Sequence, residues 1–123
     1  MNTTSSMGQE IVRKLTEIVY ANLEEENFGV DSLAIQAGMS RYFINRYVKS
    51  ELNKTTTQFI RELRLYKAME MLQAEMATAA EISYKVGFNS PTYFNSCFHQ
   101  YFGFPPGEVR KRISLDRELI QGD

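Results

Sequence analysis

Ser40-Arg41-Tyr42-Phe43-Ile44-Asn45-Arg46-Tyr47-Val48-Lys49 and Ser90-Pro91-Thr92-Tyr93-Phe94-Asn95-Ser96-Cys97-Phe98-His99 carry one helical pattern twice, fifty residues apart. Side chains at i, i+3, i+4 and i+7 stack on one side of a helix. Tyr42, Asn45, Arg46 and Lys49 therefore share a polar face, and Thr92, Asn95, Ser96 and His99 share another. The apolar faces also correspond: Phe43, Ile44, Tyr47, Val48 and Leu52 against Tyr93, Phe94, Cys97, Phe98 and Phe102. A glycine turn precedes each stretch, Gly38-Met39-Ser40 in the first and Gly87-Phe88-Asn89-Ser90, one residue longer, in the second. A short helix, a glycine turn and a longer helix with one core face and one hydrogen-bonding face make a helix-turn-helix. The sequence predicts two.

The slots around each turn are filled accordingly. Ala34 and Ser83 each stand four residues before the turn glycine, where two helices nearly touch and a small side chain is needed. Leu33, Ala37, Met39, Ile44 and Tyr47 occupy positions to be buried in the first unit, over about residues 30–52. Ile82, Val86 and Phe88 do so in the second, over about residues 79–102. Ser40 and Ser90 are natural N-caps, Pro91 suits a first helical position, and Asn53 tolerates the left-handed backbone at a helix end. Gly29 serves as N-cap of the first short helix, and Thr78-Ala79-Ala80-Glu81 reads as a capping box.

Between the units, a long helix is predicted over about 57–73, opened by Thr55-Thr56-Thr57. Its inner stripe is Phe59, Ile60, Leu63, Tyr66, Met69 and Leu72, with Arg61, Arg64 and Lys67 largely outside. Being continuous, it is expected to set the spacing of the units. Upstream, Ile11, Val12, Leu15, Ile18, Val19 and Leu23 predict a helix from about Gln9 to Glu25, after a flexible polar end over residues 1–8. Downstream, a last short helix is expected from about Pro106, followed by a loose amphipathic tail over 113–123. The fold class is all-α, about seven helices in one domain over residues 9–112.

Composition allows a real core, with 43% hydrophobic residues among 123. A single cysteine excludes an internal disulfide framework, and no apolar run approaches the roughly 20 residues that span a bilayer. Net charge is −1, yet its distribution is uneven. Residues 1–31 hold two basic and six acidic side chains, residues 41–67 seven basic and two acidic, residues 84–112 four basic and one acidic. Local positive potential, rather than global basicity, is what a nucleic-acid surface requires. Charge alone fits solvated helix faces more simply, and supports the helix-turn-helix reading without carrying it.

The stretch Leu33-Ala34-Ile35-Gln36-Ala37-Gly38-Met39-Ser40-Arg41 resembles the first helix-turn-helix of the DNA-binding domain of AraC/XylS-type bacterial transcription regulators. A more specific signature runs from Ile82 to Gly107: Val86-Gly87-Phe88, Tyr93-Phe94, Phe98, Tyr101-Phe102-Gly103 and Pro105-Pro106. The resemblance covers about residues 10–112. It implies seven helices, two units entering successive major grooves of double-stranded DNA, and a cytoplasmic regulator that touches RNA polymerase beside a promoter. It places base-contacting positions at Tyr42, Asn45 and Arg46, flanked by Arg41 and Lys49, and again at Thr92, Asn95 and Ser96, beside Pro91. Ser96 stands where many members carry arginine, and Pro91 where glutamine or a similar side chain is common. Serine reads bases weakly and proline offers no donor.

On chemistry, Arg46 is the best candidate reader, since an arginine donates two bonds to guanine O6 and N7. Asn45 could pair with adenine or meet a phosphate, and Tyr42 could meet a thymine methyl or a phosphate. Phosphates are expected at the helix N-termini near Ser40, Ser90 and Pro106-Gly107, with Arg61, Arg64 and Lys85 as further candidates. His99 and Cys97 lie on opposite faces of one helix, so no metal site is expected, and Cys97 reads as core. No phosphate-binding glycine loop, acid pair or nucleophile constellation predicts an enzyme or a cofactor. Two units in one chain replace the usual dimer, so an isolated domain is expected to be monomeric. The acidic first helix and missing sensor segment favour the output domain of a larger regulator over a free-standing one. A helical protein-interaction module would explain the charges but not the paired turns.

Overall fold

Leu15, Val19 and Leu23 recur at four-residue intervals, and in the computed structural model they are buried as one stripe. The structure describes residues 3–121, with side chains for residues 7–119. Among them are seven α-helices and no strand: α1 (Thr3–Ala21), α2 (Val30–Ala37), α3 (Arg41–Leu52), α4 (Thr56–Gln73), α5 (Ala79–Lys85), α6 (Pro91–Phe102) and α7 (Glu108–Gln121). None of the described helices is long and apolar enough to cross a membrane. The chain divides into two units, up to Arg64 and from Leu65, and α4 runs unbroken through the division.

In the first unit, α1, α2 and α3 close over Leu15, Val19, Leu33, Ile44 and Val48, all fully buried, with Phe59 and Ile60 from the start of α4. In the second, the rest of α4 contributes Leu65, Ala68 and Leu72 to a core with Ile82, Val86, Phe94, Phe98 and Val109. Aromatic rings fill that core: Phe88 and Phe94 lie 5.2 Å apart, Phe98 and Phe102 4.6 Å, in tilted or edge-on contacts. Such geometry suits the ring quadrupole better than face-to-face stacking.

Several expected boundaries and faces are corrected. Helix α1 starts at Thr3, so residues 3–8 are helical rather than a loose end, and Gly8 is buried where a side chain would collide with Glu51. Residues 1–2 and 122–123 of the expected flexible ends lie outside the described residues. Helix α1 stops at Ala21, short of Glu25, because Asn22 turns back to donate its side-chain amide to the Ile18 carbonyl at 2.7 Å. Arg64, placed outside by its charge, is buried. Its Nη1 donates to the Leu23 carbonyl at 2.6 Å, and its Nη2 to those of Glu25 and Phe28. A fork of N–H donors satisfies loop carbonyls that no helix pairs, which is why a charge belongs there. Burial pushes the Arg64 pKa below the ordinary guanidinium value.

Tyr66, expected inside, is 47% exposed and accepts a hydrogen bond from the Tyr101 hydroxyl at 2.8 Å. Phe43 and Tyr93, expected on core faces, are each 50% exposed. The last helix is not short. It begins at Glu108, past the buried Pro106, and continues to Gln121, taking in most of the expected tail. No proline or glycine interrupts residues 108–121, and Val109 and Ile113 anchor the helix to the second core.

Candidate nucleic-acid interface

Each unit positions its longer helix with the same local devices. Gly38 (φ 66°) and Gly87 (φ 91°) adopt the left-handed backbone that side chains resist. Behind the bend, Met39 donates its N–H to the Ala34 carbonyl at 3.1 Å, and Phe88 to the Ser83 carbonyl at 2.9 Å. These are the six-to-one bonds of a Schellman ending, made to the small residue of each unit. Ser40 Oγ then accepts from the Phe43 N–H at 3.2 Å, and Ser90 Oγ from that of Tyr93 at 3.2 Å. Helices α3 and α6 each run 12 residues and end in left-handed residues, Asn53 and Gly103. The fifty-residue correspondence thus holds from cap to cap.

The first unit gathers its expected residues into one groove of about 790 Å³. Arg41, Tyr42, Asn45, Arg46 and Lys49 line it from α3, with Lys54 and Thr55–Thr57 opposite. Tyr42 is 67% exposed and meets Phe43 edge to face at 5.7 Å. Arg46 and Lys49 are exposed and have no ion pair among the described residues. Arg41 Nη1 instead lies 2.8 Å from Asp31 Oδ1, and that hydrogen bond and charge raise its pKa above the ordinary guanidinium value. Lys54 pairs with Glu62 at 2.5 Å. Asn45 Oδ1 accepts from the Thr56 hydroxyl at 2.5 Å.

Lys54 and the three threonines line this groove in addition to the residues that the sequence singles out. Their signal lies in the sequence: Thr55 with Gln58 three residues on is a capping-box pattern, and it announces a helix start just after α3. In the structure Thr55 Oγ1 accepts from the Gln58 N–H at 3.1 Å, and Gln58 Oε1 accepts from the Thr55 N–H at 2.9 Å.

In the second unit, Thr92, Asn95 and Ser96 are exposed along α6, behind half-buried Pro91 at its first position. No side chain among them bears a charge. The basic residues nearby are partly engaged. Arg110 Nη2 donates to the Ala77 carbonyl at 3.0 Å, and the Arg112 guanidinium sits 3.9 Å from the Phe104 ring centre. Gly107 is exposed in the turn before α7, where the Glu108 and Val109 N–H groups already bond to the Pro105 and Pro106 carbonyls. Of the suggested phosphate cations, Lys85 is exposed, Arg61 half-buried, and Arg64 spent inside the first unit. Among the described residues, no group of three His, Cys, Asp or Glu side chains could hold a metal ion.

The family model described as a helix-turn-helix domain matches residues 33–112. Histidine kinase P4 of Formosa agariphila is 35% identical over 112 residues, which are 91% of this chain but 8% of that protein. A transcriptional regulator of Chromobacterium violaceum, one of the AraC-type DNA-binding domain-containing proteins, superposes with a TM-score of 0.78 at 28% identity, covering 87% of this chain and 95% of that one. The DNA-binding domain of AdpA, a global transcriptional factor solved with a target DNA, gives 0.73 at 26% identity, covering 89% and 95%. The chain spans under a third of the length of the first curated relatives it matches. Twin capped units, an all-helical fold and these likenesses converge: the chain belongs to the AraC/XylS family of helix-turn-helix, DNA-binding transcription regulators.

Proposed function

We propose that this chain binds promoter DNA as a sequence-specific duplex reader, with α3 and α6 each laid in a major groove. In this reading Tyr42, Asn45, Arg46, Thr92, Asn95 and Ser96 face base edges. Ser40, Arg41, Lys49, Ser90, Pro91 and Gly107 meet or flank the backbone. The observation that carries it is the groove on α3, where Arg46 and Lys49 stand exposed, with no ion pair among the described residues, on the helix that Ser40 caps. A protein that exposes cations without counter-ions on a narrow helical face offers them to an anion outside itself.

The chain acts as the output domain of a larger cytoplasmic sensor-regulator. The support is that segments like it form 8% of a histidine kinase and about 30% of several regulators. Once on the promoter it contacts RNA polymerase, and it does so without dimerising through this domain. Electrophoretic mobility shift with a pool of random duplexes, at low and moderate salt, tests the central claim. Binding that weakens steeply with salt, and a defined site emerging on repeated selection, are expected. Equal mobility of free and mixed duplex at low salt would end it.

A further inference from the structure

Thr56 is 2% exposed, at the first turn of α4, yet it is polar. Its hydroxyl donates to Asn45 Oδ1, 2.5 Å away and eleven residues back, on the exposed face of α3. That is the hydroxyl's one side-chain partner among the described residues. Turning the amide over would point its NH₂ at the hydroxyl and leave a buried O–H without an acceptor, which is the costlier arrangement. Asn45 therefore keeps its oxygen toward Thr56 and turns its NH₂ toward the groove shared with Tyr42, Arg46 and Lys49. At the equivalent position of the second unit, Asn95 has no such partner among the described residues.

We propose that Thr56 is a positioning residue for base reading: its buried hydroxyl holds the Asn45 carbonyl, so that Asn45 meets the major groove as a donor. This rests on the DNA-binding reading above and sharpens it. An unrestrained asparagine reads adenine by accepting from N6 while donating to N7. With its oxygen held by a hydroxyl, Asn45 selects base edges that only accept, guanine at O6 and N7 or thymine at O4. Adenine is then disfavoured at that position. Arg46, the neighbouring side chain, also seeks guanine acceptors, so the half-site read by α3 is rich in guanine and thymine on the contacted strand.

The test is selection of randomised duplexes by the wild-type chain, Thr56→Val, Thr56→Ser, Asn45→Ala, Arg46→Ala and the Thr56→Val/Asn45→Ala pair. One position preferring guanine or thymine should flatten in Asn45→Ala. Thr56→Val should weaken that preference roughly threefold to tenfold, the worth of one hydrogen bond. Thr56→Ser should retain it, the position read by Arg46 should be unmoved, and the pair should match Asn45→Ala. Nuclear magnetic resonance of the free wild-type protein gives a reading that needs no variant to fold. The Asn45 side-chain amide should be ordered and that of Asn95 averaged. Equal averaging of the two amides, an adenine preference at the Asn45 position, or a folded Thr56→Val with unchanged selection would overturn the proposal. If Arg46→Ala and Asn45→Ala both left selection unchanged, the DNA-reading role itself would fail, a result distinct from failure of Thr56 alone.

Discussion

Arg46 brings a planar fork of donors to the open face of α3, whereas Ser96 brings one hydroxyl to the matching place on α6. A bidentate arginine–guanine pair is worth about 1–3 kcal/mol of discrimination, and charge-assisted bonds are roughly twice as strong as neutral ones. Arg46→Ala is therefore expected to relax base preference in one half of the bound site, while Ser96→Ala barely alters the other. Selection on randomised duplexes reads both. A Ser96 half-site as sharply defined as that of Arg46, and lost in Ser96→Ala, would contradict the asymmetry. Lys49→Ala, removing a cation that has no ion pair among the described residues, should weaken binding to all sequences and lower the salt slope by about one. Arg41→Ala should act in the same sense but less, because Arg41 already shares its charge with Asp31.

Helix ends are where single elements can be tested. Just past the end of α4, Glu75 sits at φ 53°, its N–H bonding to the Leu72 carbonyl while the Met76 N–H bonds to that of Met71. This is a Schellman ending with a side chain where glycine is favoured, so Glu75→Gly should stabilise the fold by about 0.5–1 kcal/mol in urea titration. Within α4, Leu65→Pro should cost about 3 kcal/mol or more from the broken helix, besides the loss of a core side chain. Leu65→Ala keeps the helix and separates the two contributions. Operator affinity surviving in Leu65→Pro would show that an unbroken α4 is not needed to couple the units. At the start of α5, Glu81 accepts from the Thr78 hydroxyl and N–H, and these bonds hold its pKa below the usual 4.5. A carboxylate depressed in the folded state stabilises fully above its unfolded pKa and loses that contribution as pH falls through the folded value. Thr78→Val should return the Glu81 titration, followed by resonance, toward the ordinary range.

For the molecule as a whole, the pairing of two reading helices in one chain predicts that the isolated domain is a monomer. Sedimentation equilibrium without DNA should give a mass near 14.2 kDa. An obligate dimer would require a surface that neither unit's core uses. On α7, Leu115 and Leu119 are the exposed apolar residues to substitute first in that event.

Sequence by itself determined what local chemistry can determine. Gly38 and Gly87, and Ser40 and Ser90, stand in turns and caps bonded within a few residues of themselves, so their pattern carries their structure. It could not decide which charges face outward. Ile60, Arg64, Ala68 and Leu72 lie at four-residue intervals on one buried line of α4, yet the guanidinium suggests solvent. Only the carbonyls of Leu23, Glu25 and Phe28, some forty residues earlier, make that burial favourable. The same holds for Asn45, whose freedom ends at a hydroxyl on the next helix, and for Tyr66, drawn outward to Tyr101. Partners distant along the chain are chosen by tertiary packing, because a polar group's best environment depends on which unpaired donors and acceptors the fold brings within reach.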